Sequence, residues 1–367
     1  MLSAGGRDDR KAWKDKKERT VKRKYQYDLL RVISILFVVM IHTGCTELAG
    51  KGIIDYPIAA VLFLCNGMFF MMSGRLNLSC EFRKAEDYRH FYWKRFTHVI
   101  LPYIIFTFLL CAWNLQAQGE LAGAGAAGYL KAVYLDFMNR NSTVHLWFMY
   151  PMIGCIVSTP FLSKMVHHMS SAEMKIFLAI GLAWNFVRVY LTEDLGISFT
   201  YNDWIGGDWV LYYMAGYMLP ELVSEERFFR RTLLAGLAGY VITIFGAVSH
   251  KFAPSWFSFG FTYDLSPAYS LFNFAVFAFF ERKVVIRSER NQKFLQFCAG
   301  HTYTIFLIHW NINQYWISPN VQISGSQILT KFLCTILVVL VSFAFAVPFD
   351  LLYGQMQKKM MRWGHGQ

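Results

Sequence analysis

Residues 27–44 read YDLLRVISILFVVMIHTG. No charged side chain stands between Arg31 and His42. A helix crossing the hydrocarbon core of a bilayer needs about 17 to 25 predominantly apolar residues, and this stretch supplies them. Runs of the same kind recur along the chain. They predict ten helices, over 27–46, 55–74, 97–115, 144–162, 174–191, 208–222, 232–250, 267–281, 302–317 and 328–351. The expected fold class is all-α, a polytopic membrane helical bundle of about ten transmembrane helices.

Composition agrees. Of 367 residues, 55% are hydrophobic, 18% aromatic and only 16% charged, against about 25% charged in a soluble domain. The mean hydropathy is +0.31. A soluble core cannot hide that much apolar surface, and the same figures exclude disordered, collagen-like and disulfide-scaffold chains. The formal net charge of +12 would suit nucleic acid, but the basic residues lie in short blocks between apolar runs. That is the positive-inside pattern, so the expected partner is the lipid bilayer and not nucleic acid. With both termini placed in the cytoplasm, the inner segments hold most of the Lys and Arg. The outer loops then keep only Lys51, Lys131, Arg140 and Lys251. The expected division is a basic cytoplasmic tail over 1–24, a membrane domain over 25–351 and a second basic tail over 352–367. Residues 1–24 have no apolar core, so they do not read as a cleaved signal peptide. Cysteines stand at 45, 65, 80, 111, 155, 298 and 334; none forms a CxxC pair, and they read as small packing residues without a metal or disulfide framework.

Ionisable groups at bilayer depth are expensive, so each one marks either a paired structural group or a working one. Arg31 and His42 are separated by about 1100° of helix rotation, about 20° beyond three full turns, and share one face about 16 Å apart along the axis. Asp28 precedes Arg31 by one turn and can pair with it. A cation near the cytoplasmic end can hold phosphates, and an imidazole deeper in the bundle can act as general base. The alternative is an interfacial ion pair and a packed histidine. Asn66 lies inside the second run, which ends FFMMSGR (69–75) with Ser73 and Gly74, residues that suit close helix packing as well as function. FYWKRFTHVILPY (91–103) sets Lys94, Arg95 and His98 at the cytoplasmic mouth, either as a phosphate-binding collar or as interface anchors. His145 and Trp147 open the fourth run at the outer vestibule or interface, Arg188 lies near the outer end of the fifth, and His309 lies at mid-depth in the ninth.

Taken together, these residues resemble the acyltransferase 3 family of integral membrane O-acyltransferases over about 25–351. The resemblance rests on Asp-x-Leu-Arg followed by ten residues and His (Asp28 to His42), on FFxxSG (69–74), and on Arg95 and His98 before Pro102, where the family has a second Arg. It rests also on HLWF (145–148) and YxIxLIH (303–309). The family resemblance implies transfer of an acyl group, usually acetyl, from cytoplasmic acyl-CoA to a hydroxyl of a surface glycan or lipid-linked saccharide. The single-domain surface-polysaccharide O-acetyltransferase type is the nearest match, set in a bacterial plasma (inner) membrane. It implies His42 as catalytic base or transient acyl acceptor, and Arg31, Arg95 and His98 as the acyl-CoA contacts. Asp28, Asn66, Ser73, Trp147, Arg188 and His309 are expected in supporting or acceptor-side positions. Acetyl-CoA enters as a substrate; no tightly bound cofactor and no metal is implied. Two other readings stay open, a membrane transporter and a non-catalytic membrane sensor on the same fold. Oligomeric state is not encoded in any of these features.

Overall fold

The structure is a computed structural model that describes residues 23–47, 52–119, 123, 125–139, 144–194, 196–197, 206–252, 264–323 and 326–364. Most of the basic tail, together with Lys51 and Arg140 of the outer loops, lies outside the described residues. Eleven helices carry the fold and no strand occurs among the described residues. They are α1 (Tyr25–His42), α2 (Asp55–Leu78, bent at Phe63), α3 (Ala85–Ala117), α4 (Ala126–Asn139), α5 (Met149–His167), α6 (Ser171–Val189), α7 (Asp208–Leu222), α8 (Glu226–Phe252), α9 (Pro267–Lys283), α10 (Glu289–Asn311) and α11 (Gln327–Gly364).

Local sequence explains several of the boundaries. Ser170 caps α6: its hydroxyl accepts from the Glu173 backbone N–H and the Glu173 carboxylate accepts from the Ser170 N–H, a reciprocal capping box. Ser266 caps α9, and Pro267 occupies the first helical turn, where its missing N–H is no loss. The chain leaves α1 through Gly44, whose φ of +83° belongs to the left-handed region. The first helix therefore stops at His42, short of the expected residue 46.

Seven helices among the described residues are long and apolar enough to cross a membrane: 25–42, 55–78, 85–117, 145–167, 171–192, 226–249 and 327–362. The other three expected spans have a different character. Helix α7 has 15 residues and α9 has 17, which at 1.5 Å per residue gives about 22 and 25 Å, less than the roughly 30 Å hydrocarbon core. Helix α10 is long enough but opens on the polar run ERNQK (289–293). Each packs against other helices: α7 on the second half of α2, α9 along α8, and α10 on α1 and α11. Helix α2 runs on past the expected end at 74 to Leu78, and α11 continues beyond 351 to Gly364. Residues 352–364 thus extend the last helix, with Trp93 donating to the Met360 carbonyl (3.0 Å) and Gln357 to that of Thr97 (3.1 Å). All seven cysteines are free, and Cys45, Cys65, Cys111, Cys155 and Cys334 are buried, as packing residues should be.

Candidate active site

Helix α1 supplies the first element. Asp28 is buried and takes Arg23 in a two-point geometry, Nε to Oδ2 at 2.6 Å and Nη2 to Oδ1 at 2.9 Å. The expected pair with Arg31 also forms, but at 3.5 Å. Asp28 therefore anchors Arg31 without saturating its guanidinium.

Arg95 comes from the middle of α3, where the helix widens into a π turn at Phe96–Ile100. Such turns leave carbonyls without helical partners and recur at functional sites. Here Tyr353 and Gln357 both donate to the Thr97 carbonyl, at 2.6 and 3.1 Å, and Tyr303 donates to that of Val99 at 2.8 Å. The Arg95 guanidinium lies 5.4 Å from the centroid of Phe91. Its Nε is buried and without a partner among the described residues.

Arg31 and Arg95 line one cavity of about 220 Å³. Ser73, Asn77 and Thr302 add neutral polar groups, and Phe148 and Phe306 are part of the apolar wall. Among the described residues, no acid lines this cavity. Phe148 and Phe306 are in ring contact (5.7 Å), and Phe306 continues to His309 (6.1 Å). Beyond them three histidines meet around Trp310. The His42 ring lies 5.1 Å from His309 and 4.9 Å from Trp310, and His145 stacks on Trp310 at 5.8 Å with 14° between planes. Asn313 donates to the His42 backbone carbonyl at 2.8 Å and pins the end of α1. Neither ring nitrogen of His42 has a hydrogen-bond partner among the described residues. No group of three or more His, Cys, Asp or Glu side chains among these residues is arranged to hold a metal ion.

The other expected site residues are distributed as follows. His98 is exposed, its ring nitrogen 2.9 Å from the Lys94 carbonyl, and it is not part of the cavity wall. Ser73 is in that wall. Asn66 lies elsewhere, donating to Asp264 at 2.7 Å. Trp147 meets Trp209 in a tilted ring contact (5.3 Å) and touches Phe148 edge-on. Arg188 pairs with Asp208 at 2.7 Å and ties α6 to the start of α7, where Asp208 has a φ of +49°. His145, expected at the outer vestibule or interface, is buried (4% exposed) against His309 and Trp310, on the short 3₁₀ turn before α5. Asn77 and Trp310 were not singled out by sequence. Asn77 follows Ser73 by four residues and so shares its face, a signal that was legible; nothing local distinguishes Trp310 from a belt tryptophan.

A family model described as an acyltransferase domain matches residues 24–347. No curated protein matches the chain, and no solved structure does.

Proposed function

The chain belongs to the acyltransferase 3 family, and on that premise we propose that it moves an acyl group from cytoplasmic acyl-CoA to a hydroxyl of an extracytoplasmic glycan or lipid-linked sugar. Acetyl is the donor group proposed, and a bacterial plasma membrane the setting. The observation that carries the reading is the cavity shared by Arg31 and Arg95 with no acid among its lining residues. Two permanent cations in a membrane bundle call for an anion. A guanidinium presents a rigid fork of donors that matches phosphate oxygens, so the phosphates of CoA are the natural occupants at this end. The Met and Phe side chains of the remaining wall suit the less polar pantetheine arm.

His42 stands about 16 Å along α1 from Arg31, beyond the Phe148–Phe306 pair. In this role a neutral imidazole accepts the proton of the acceptor hydroxyl as the oxygen attacks the thioester carbonyl. The carbon–sulfur bond then breaks, and the leaving thiolate takes the proton from the His42 imidazolium, giving free CoA and restoring the neutral base. Arg31 and Arg95 take no part in bond making; they fix the donor so that its thioester reaches His42.

The test uses acetyl-labelled acetyl-CoA with the full chain in nanodiscs and an envelope-glycan acceptor. The expected outcome for His42→Ala is unchanged donor binding with transfer reduced about 10²- to 10⁴-fold. For Arg31→Ala and Arg95→Ala, loss of a charge-assisted contact of about 1.5–3 kcal/mol weakens donor binding about 10- to 100-fold. Absence of saturable acyl-CoA binding by the folded wild type would sink the reading.

A further inference from the structure

His309 is fully buried. Its Nδ1 lies 2.8 Å from the Phe306 carbonyl and 3.1 Å from that of Ile305. Carbonyl oxygens only accept, so the ring proton sits on Nδ1 and Nε2 carries a bare lone pair. That Nε2 is buried and has no partner among the described residues. An unmet buried acceptor is costly, and the surroundings show which donor can meet it. The rings in contact with His309 are His42, His145 and Phe306. His145 commits its Nε2 proton to the Leu307 carbonyl at 3.4 Å, so its buried, unpartnered Nδ1 is an acceptor too. Phe306 has no polar hydrogen. His42 is the neighbour whose ring N–H is uncommitted.

We propose that His309 is a positioning residue for His42. Rotation of the His42 ring, already in contact at 5.1 Å, brings one of its nitrogens onto His309 Nε2 as donor. That bond fixes a single His42 tautomer and leaves the opposite nitrogen with its lone pair free for the reacting hydroxyl. The arrangement parallels the oriented base of a catalytic triad, but here the orienting group is a neutral imidazole instead of a carboxylate. The inference deepens the acyltransferase reading and rests on it for the reaction, though not for the dyad itself.

The test compares His309→Met, which keeps bulk and removes the acceptor, with His309→Gln, which places an amide oxygen near the lost nitrogen. In the full chain in nanodiscs, His309→Met is expected to lower kcat about 10²-fold with KM for acetyl-CoA unchanged, and His309→Gln to recover most of that loss. Nitrogen-15 spectra of labelled histidine, taken with a non-transferable ketone analogue of acetyl-CoA bound, are expected to show one His42 tautomer in wild type and His309→Gln. A tautomer mixture is expected in His309→Met. Wild-type kcat in His309→Met, equal losses in both folded variants, or a mixed His42 tautomer in wild type each overturns the dyad. Failure of the wild type to bind acetyl-CoA defeats the acyltransferase reading instead. The dyad is then tested by the tautomer of His42 in the unliganded wild type against unliganded His309→Met, where identical spectra overturn it.

Discussion

Asp28 has two arginines within reach and gives the tighter geometry to Arg23. A residue of the chain just outside α1 therefore decides how much of Arg31 is available to a ligand, and the hydrogen bond to Asp28 raises the titration of Arg23 in return. A second acid shows the opposite balance. Asp264, in the loop before α9, accepts from Asn66 and lies beside Tyr212, Tyr269 and Cys65. Burial pushes its carboxyl up to about 7, with the Asn66 hydrogen bond pulling the other way. An unfolded aspartate titrates near about 3.9. The folded chain thus keeps a proton that the unfolded chain has released. This contribution to stability is complete below about pH 4 and is lost as the pH rises through about 7. Thermal unfolding followed by helical circular dichroism should give a higher midpoint at pH 5 than at pH 8. In Asp264→Asn the difference should shrink, and an undiminished difference would falsify the assignment.

At the scale of the elements, the site depends on two departures from regular packing. The π turn in α3 frees carbonyls at Thr97 and Val99, and α10 and α11 reach over to occupy them. The register of Arg95 is thereby tied to helices more than two hundred positions away in sequence. The crossing of α2 and α7 is the other device. A Cβ on Gly74 would stand 1.8 Å from the Tyr213 carbonyl oxygen, and one on Gly216 would stand 2.0 Å from that of Met71. Both obstacles are backbone, which cannot swing aside. Gly74→Ala and Gly216→Ala should each destabilise the chain by about 1–3 kcal/mol or more through overpacking. Gly154→Ala meets open space within 4 Å and should be neutral or slightly stabilising, by up to about 1 kcal/mol, since alanine is the better helix former. Thermal midpoints of the three variants in one detergent separate these outcomes. Equal midpoints would mean that the α2–α7 contact tolerates separation.

For the whole molecule, the basic segments set the expected orientation, with both termini cytoplasmic. Ser288 and Lys131 are exposed at opposite expected faces. In intact cells, Lys131→Cys should react with a membrane-impermeant maleimide, and Ser288→Cys should react only after permeabilisation. The reverse pattern would invert the site and place the Arg31–Arg95 cavity on the wrong side for cytoplasmic acyl-CoA. Seven helices among the described residues meet the length and apolarity needed to span, and α7, α9 and α10 pack against them as shorter or more polar helices. Apolar runs alone do not separate these classes, because burial in lipid and burial in protein select the same side chains.

One helix or one composition is enough to read the membrane class, the apolar runs, the shared face of Arg31 and His42, and the family resemblance. The reason is that rise and rotation along a helix follow from hydrogen bonds between near neighbours, so spacing alone converts to geometry. Which of the remaining polar residues belong together follows from helix packing alone. It brought Arg95 and Asn77 to the cavity of Arg31, turned His98 outward, paired Asn66 with Asp264, and drew His145 and Trp310 to His42 and His309. Those neighbours are set by close approach at glycines, by a π turn and by helices packing across long separations in the chain, and no local pattern of residues carries that information.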